Sequence, residues 1–96
     1  MAKTKETAVL FGAGSIGLAI IRRIGVGKHI VLADYSEKNA QTAANVLENA
    51  GYECSTIKAD LGSKADILAV VEEAKKWGNV KNVVNAAGVS PSQAPV

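Results

Sequence analysis

The chain's 96 residues suit one small domain, and 48% hydrophobic with 21% charged residues is an ordinary composition for a soluble α/β protein. The net charge of +2 comes from dispersed lysines and arginines, which excludes a basic nucleic-acid-binding face, and the single cysteine, Cys54, excludes an internal disulfide. The short charged N-terminus resembles no signal peptide, and the apolar run after it is too short to cross a bilayer. We therefore expect a cytoplasmic protein without nucleic-acid or membrane partners.

The first predicted elements are a strand, a glycine-rich loop and a helix. A buried strand at residues 7–11 leads into Gly12, Gly14 and Gly17, a G-x-G-x-x-G motif, and a helix at residues 15–24 follows. Gly12 permits a tight turn, Gly14 lets a phosphate approach the backbone, and Gly17 lets the helix pack closely on the strands. This setting predicts a dinucleotide site, whereas the alternative is a glycine-rich turn used only for packing.

The start of this first helix and the end of the next strand complete the motif. The helix N-terminus offers unpaired N–H groups and a partial positive charge of about half a unit, and Ser15 adds a hydroxyl that donates to a phosphate or caps the helix. A second strand, residues 29–33, ends in Asp34, 17 positions after Gly17. The Asp34 carboxylate suits the two hydroxyls of the adenosine ribose and repels a 2′-phosphate, which predicts NAD rather than NADP. Its alternative role is to cap the next helix.

Two more helices and two more strands are predicted further along the chain. Ser36 caps a second helix, residues 52–58 form a third strand, and Ser63 caps a third helix. A fourth strand at residues 80–85 follows a turn, and residues 89–96 form a loop or a truncated connection. The apolar stripes are Ala40, Ala43, Ala44, Leu47 and Ala50 in the second helix, and Ile67, Leu68, Val71 and Ala74 in the third.

The alternation of strands and helices predicts an α/β fold with helices on both sides of the sheet. Right-handed crossovers give a three-layer, Rossmann-type, doubly wound parallel sheet of four strands in the order 3-2-1-4, incomplete relative to a full domain. We expect residues 1–96 to be an NAD-binding half-domain, with its ligand at the carboxyl ends of the strands. The bare edge of the fourth strand predicts a homo-oligomer or association through that edge.

Two motifs in the second half of the chain resemble the short-chain dehydrogenase/reductase family. That family has an acidic and an apolar residue after strand 3, matched by Asp60-Leu61, and Asn-Asn-Ala-Gly after strand 4, matched by Asn85-Ala86-Ala87-Gly88. The resemblance implies that Asp60 and Leu61 lie beside adenine, that Asn85 steadies the sheet, and that the residues after Asn85 lie against a ribose. The glycine loop is one residue shorter than the family's form, and Ala86 replaces its second asparagine.

The resemblance implies a parent enzyme that transfers hydride between NAD(H) and an alcohol or carbonyl, using a Tyr-x-x-x-Lys pair. Neither Tyr35 nor Tyr52 has a lysine four positions later, so we predict no catalytic residue and no activity for these 96 residues. His29 is expected to be structural or exposed, Cys54 to be a packed side chain, and no metal site is predicted. The predicted cofactor-binding residues are Gly12, Gly14, Ser15, Ile16, Gly17, Asp34, Tyr35, Asp60, Leu61, Asn85, Ala86, Ala87 and Gly88.

Three other functions compete with this interpretation. A regulatory NAD(H)-sensing module needs no catalytic pair, which would explain the missing tyrosine and lysine directly. An S-adenosylmethionine-binding methyltransferase core also holds a ribose with an acid after strand 2, although Gly17 favours a dinucleotide. A structural remnant would bind nothing.

Overall fold

The computed structural model describes residues 6–86, so the predicted loop at 89–96 and the predicted site residues Ala87 and Gly88 lie outside it. Strands and helices alternate along the described part of the chain. The elements are β1 (Glu6–Phe11), α1 (Ser15–Ile24), β2 (His29–Asp34), α2 (Glu37–Asn49), β3 (Glu53–Lys58), α3 (Lys64–Lys75) and β4 (Asn79–Asn85). The strands form one parallel sheet in the order β3-β2-β1-β4, which confirms the predicted doubly wound α/β fold.

The helices begin in two different ways. Ser36 and Ser63 cap α2 and α3 as predicted, each accepting a hydrogen bond from the backbone N–H three residues later, at 3.2 and 3.3 Å. The N-cap of α1 is Gly14, which makes no side-chain cap hydrogen bond, so Ser15 does not cap that helix. No side chain of the N-cap residue therefore occupies the N–H groups in the first turn of α1, and these donors are available to another acceptor.

The core lies on both faces of the sheet. On one face, α1 and α2 pack Ile21, Ala43, Ala44 and Leu47 against β1 and β2, and on the other face α3 packs Val70 and Ala74. The stripe predicted for α2 is buried except for Ala50, which follows the last turn and is exposed.

The stripe predicted for α3 was right at Ile67 and Ala74 and wrong at Leu68. Leu68 is 59% exposed, whereas Val70, which the prediction omitted, is fully buried. The helix turns Ile67, Val70 and Ala74 toward the sheet, a spacing of three and then four residues. The continuous apolar run at residues 67–71 fits several helical faces equally well, so periodicity alone does not select one.

His29 joins three elements at the amino-terminal end of the sheet. It is 2% exposed, with Nδ1 2.6 Å from a carboxylate oxygen of Glu53 and Nε2 2.9 Å from the Ser55 hydroxyl. Its ring stacks on Trp77 with centroids 3.9 Å apart. These contacts join β2 to β3 and to the turn after α3, so His29 has the structural role that was one of its two predicted roles.

The strand β4 lies at one edge of the sheet that the described residues form. Within residues 6–86 it pairs only with β1, and its register shifts between Thr7 and Ala8. Its residues alternate between exposed and half-buried, and Val83 is 57% exposed. Asn79, predicted as a turn, already belongs to the strand. None of the helices in this part of the chain is long and apolar enough to cross a bilayer.

Candidate functional site

Two glycines of the loop are required by the backbone around them. Gly12 has a φ of +90°, which L side chains rarely adopt, and its N–H donates to the Ala33 carbonyl at 2.8 Å. A Cβ on Gly17 would lie 2.7 Å from the Gly12 carbonyl oxygen and 2.9 Å from Cδ1 of Leu10. The loop therefore turns sharply off β1, and α1 packs directly against the strand, as the motif predicted.

Gly14 differs, because the protein itself does not require a glycine there. Its backbone is extended, with a φ of −85°, and an added Cβ would meet no atom within 4 Å. Leu18 is the first residue whose N–H is bonded within α1, to the Gly14 carbonyl at 2.9 Å, so the N–H groups of Ser15, Ile16 and Gly17 have no partner in the helix. Open space and free donors therefore coincide at the positive end of α1.

Asp34 ties the glycine loop to the end of β2. One carboxylate oxygen accepts a hydrogen bond from the Ala13 N–H and the other accepts one from the Ser36 N–H, both at 2.8 Å. Each oxygen has a second lone pair, so the half-buried carboxylate still has acceptor capacity for a ribose. Ser36 is the N-cap of α2, and Asp34 supports the turn before it rather than capping the helix itself.

A cleft of about 280 Å³ opens beside Asp34, at the carboxyl-terminal ends of the strands. Asp60 helps to shape it, since its carboxylate accepts from the Gly62 N–H at 2.8 Å and its own N–H donates to Asp66 at 2.9 Å. The cleft brings five predicted site residues together. They are Gly12, Asp34, Tyr35, Asp60 and Leu61.

A larger cavity, of about 370 Å³, lies at the opposite, amino-terminal ends of the strands. It is lined by residues 25–28, which follow α1, and by residues 50–53, which follow α2. Helix C-termini carry a partial negative charge, so this cavity is poorly suited to phosphates. The smaller cleft is the better candidate because it adjoins the glycine loop and Asp34.

The end of β4 lies next to the glycine loop. Asn85 is the register partner of Phe11, and the Ala86 N–H donates to the Phe11 carbonyl at 2.8 Å. Ala86 is 7% exposed, and its Cβ is 3.1 Å from the position that a Cβ on Gly17 would occupy. The alanine that departs from the family motif is thus a small, buried residue packed against α1.

Cys54 is a packing residue, as predicted. Its Sγ donates to the Ala44 carbonyl at 3.6 Å, and burial together with the nearby carboxylates of Glu48 and Glu53 raises the pKa of the thiol to about 11. The thiol is therefore protonated near neutral pH, which makes it a poor nucleophile. Within residues 6–86, no group of three or more histidine, cysteine or acidic side chains is placed to hold a metal ion.

Lys58 lies beside a lining residue of the cleft and was not among the predicted site residues. It ends β3 as the register partner of Asp34, and its Nζ lies 5.9 Å from the centroid of the Tyr35 ring. The second and third predicted strands are neighbours in the predicted strand order, but their sequence patterns do not determine which residue lies opposite Asp34.

Comparison with known proteins gives consistent matches over most of the chain. The family model described as short chain dehydrogenase matches residues 6–95. The short-chain dehydrogenase/reductase bsc3 of Alternaria brassicicola is 35% identical over 88 residues, which are 92% of this chain and 32% of that protein. The oxidoreductase UcpA of Salmonella typhimurium is 35% identical over 89 residues, 90% of this chain and 34% of that protein. The chain spans about a third of the length of these relatives.

Solved structures agree with the fold. A variant of actinorhodin polyketide ketoreductase with NADPH superposes with a TM-score of 0.77 at 32% identity, covering 84% of this chain and 32% of the other. A short-chain dehydrogenase/reductase from Serratia marcescens gives a TM-score of 0.73 at 29% identity, covering 88% of this chain and 36% of the other. The four-stranded sheet and its helices therefore match the part of these enzymes that this chain covers.

Proposed function

The chain belongs to the short-chain dehydrogenase family, and from that premise we propose that residues 1–96 form the NAD-binding portion of an oxidoreductase that acts on an alcohol or carbonyl. Members of this family bind NAD(P). The observation that carries the proposal is the coincidence of open space beside Gly14 with the free N–H groups at the start of α1. This is the arrangement that a pyrophosphate requires.

Each part of the site has a distinct role in this proposal. The first-turn N–H groups of α1 bind the pyrophosphate, and Asp34 accepts hydrogen bonds from the adenosine ribose. Tyr35 and the pair Asp60-Leu61 enclose the adenine. Asn85 steadies the sheet, and the small, buried Ala86 lies against a ribose. The bound nicotinamide ring supplies hydride exchange, and these residues position it without taking part in the chemistry.

The preference for NAD over NADP is also part of the proposal, and it rests on Asp34. Its carboxylate is half-buried, and a 2′-phosphate beside it would bring a like charge into a partly desolvated site. The similar ketoreductase with NADPH indicates that the family fold accommodates the phosphorylated cofactor in another protein. The side chain at the end of β2 is therefore the feature that we expect to decide the preference here.

Catalysis by these 96 residues alone is not part of the proposal. Tyr35 lies at the adenosine end of the site, and the Tyr52 hydroxyl donates to the Arg22 carbonyl at 2.8 Å, near the opposite, amino-terminal ends of the strands. The sequence contains no Tyr-x-x-x-Lys pair. We expect cofactor binding without turnover.

A Gly14→Val substitution tests the site directly. The new side chain fits the extended backbone and the open space, so the protein is expected to fold, but it would occupy the place proposed for the pyrophosphate. Isothermal calorimetry should show that the wild type binds one NAD per chain. The NAD affinity of the variant should be lower by a factor of roughly ten or more, as expected when a charge-assisted hydrogen bond is lost. Circular dichroism checks the fold.

Ala19→Val is the matched control, because Ala19 is exposed on the same helix. It should bind NAD like the wild type. Absence of NAD binding by the wild type, or unchanged binding by Gly14→Val, contradicts the proposed site. Tighter binding of S-adenosylmethionine than of NAD would favour the methyltransferase alternative, and dehydrogenase turnover by the purified chain would contradict the predicted inactivity.

We also propose that the chain self-associates through β4 in the cytoplasm. The exposed Val83 and the position of β4 at the edge of the sheet formed by residues 6–86 support association, and the presence of a single cysteine fits a reducing compartment. Sedimentation velocity should show a dimer that Val83→Lys weakens and that the control Val26→Lys, on an exposed loop, leaves intact. A wild type that is monomeric at high micromolar concentration contradicts the association.

A further inference from the structure

We propose that Lys58 is a positioning residue for the adenine end of the site, and that it acts by holding the Tyr35 ring beside the cleft through a cation–π contact. The inference rests on the proposed function, since it assumes that a dinucleotide occupies this cleft. It adds a residue outside the glycine loop and the matched family motifs.

The first observation is the exposure of Tyr35. Its side chain lines the cleft next to Asp34 and Asp60, yet the residue is 70% exposed. Within residues 6–86 no hydrogen bond to its hydroxyl occurs, whereas the Tyr52 hydroxyl is bonded to a backbone carbonyl. A large aromatic ring that packs on little protein is available to stack on a flat ligand.

The second observation is the position of Lys58. Its Nζ is 5.9 Å from the centroid of the Tyr35 ring, within the range of a cation–π contact. In the described part of the chain Lys58 makes no ion pair, and the neighbouring Asp34 carboxylate is directed to the backbone N–H groups of Ala13 and Ser36. The ring is therefore the partner toward which the Lys58 ammonium is directed.

The consequence is a ring that is already ordered before the ligand arrives. Fixing the rotamer of an exposed tyrosine in advance lowers the entropy lost when adenine stacks on it. A cation–π contact at an exposed site changes an equilibrium constant by a factor of roughly two to five. Since NAD and NADP carry the same adenine, Lys58 should affect the binding of both by the same factor.

The experiment measures dissociation constants of the full 96-residue chain for NAD and NADP by calorimetry. Lys58→Met keeps most of the side-chain length and removes the charge, so it should weaken the binding of both cofactors by the same factor of roughly two to five. Lys58→Arg retains a cation that stacks on aromatic rings and should restore the wild-type affinity. In a Tyr35→Ala background, Lys58→Met should have no further effect.

Lys75→Met is the control, since it removes the same charge from an exposed residue at the last turn of α3, and it should leave both affinities unchanged. The inference is overturned if Lys58→Met binds both cofactors with wild-type affinity. It is also overturned if Lys58→Met weakens binding as much in the Tyr35→Ala background as in the wild type. Either result leaves the proposed function unaffected. Weakening of NADP binding only would mean that Lys58 contacts the 2′-phosphate directly and likewise overturns it. Failure of the wild type to bind NAD overturns the proposed function and this inference together.

Discussion

A Gly17→Ala variant is expected to lose both stability and NAD binding, although the substitution adds a single methyl group. The added Cβ would lie 2.7 Å from the Gly12 carbonyl oxygen and 2.9 Å from Leu10, and a backbone oxygen in a tight turn has little freedom to move. Overpacking of this kind costs about 1–3 kcal/mol. To relieve the clash, α1 must shift away from β1 and take its N-terminal N–H groups with it, so the cofactor site is displaced as well.

Two measurements separate the parts of this effect. The free energy of unfolding is obtained from urea titration followed by the fluorescence of Trp77, the only tryptophan, and calorimetry gives the NAD affinity. Gly14→Ala is the contrasting variant, because its Cβ meets no atom within 4 Å; it should keep nearly wild-type stability and bind NAD more weakly. If Gly17→Ala were as stable as the wild type, the close packing of α1 on β1 would not hold.

Gly17 also illustrates what the sequence was able to predict. Its role follows from a local rule, since three glycines between a strand and a helix have the same geometric consequence wherever they occur. The caps at Ser36 and Ser63 are equally local, and both were predicted to the residue. Strand order followed from the right-handed crossover, which depends on connectivity rather than on side chains.

The failures came where a position depends on distant partners. The buried face of α3 could not be chosen from the apolar run at residues 67–71, because several faces of the isolated helix are apolar and only the sheet selects one. The contact of Asp34 with the Ala13 N–H joins residues 21 positions apart and depends on how the loop folds back. The Lys58–Tyr35 contact requires the register of β2 and β3, which the strand patterns do not determine.

An Asp34→Asn variant is expected to lose most of the preference for NAD over NADP. Hydrogen bonds to a charged carboxylate are worth about 1.5–3 kcal/mol, so NAD affinity should fall roughly 10- to 100-fold. NADP should suffer less, because the substitution also removes a negative charge from the neighbourhood of the 2′-phosphate. The measured quantity is the ratio of the two dissociation constants, obtained by calorimetry on the wild type and on the variant.

The ratio matters because Asp34 has a second, structural role. An asparagine oxygen replaces only one of the two acceptors that now bind the Ala13 and Ser36 N–H groups, so the glycine loop loses a tie and both cofactors bind more weakly. That structural loss cancels in the ratio, since NAD and NADP use the same loop. Asp60→Asn, which alters an exposed carboxylate in the same cleft, should leave the ratio near its wild-type value. Equal affinity of the wild type for NAD and NADP would show that the Asp34 charge does not select the cofactor.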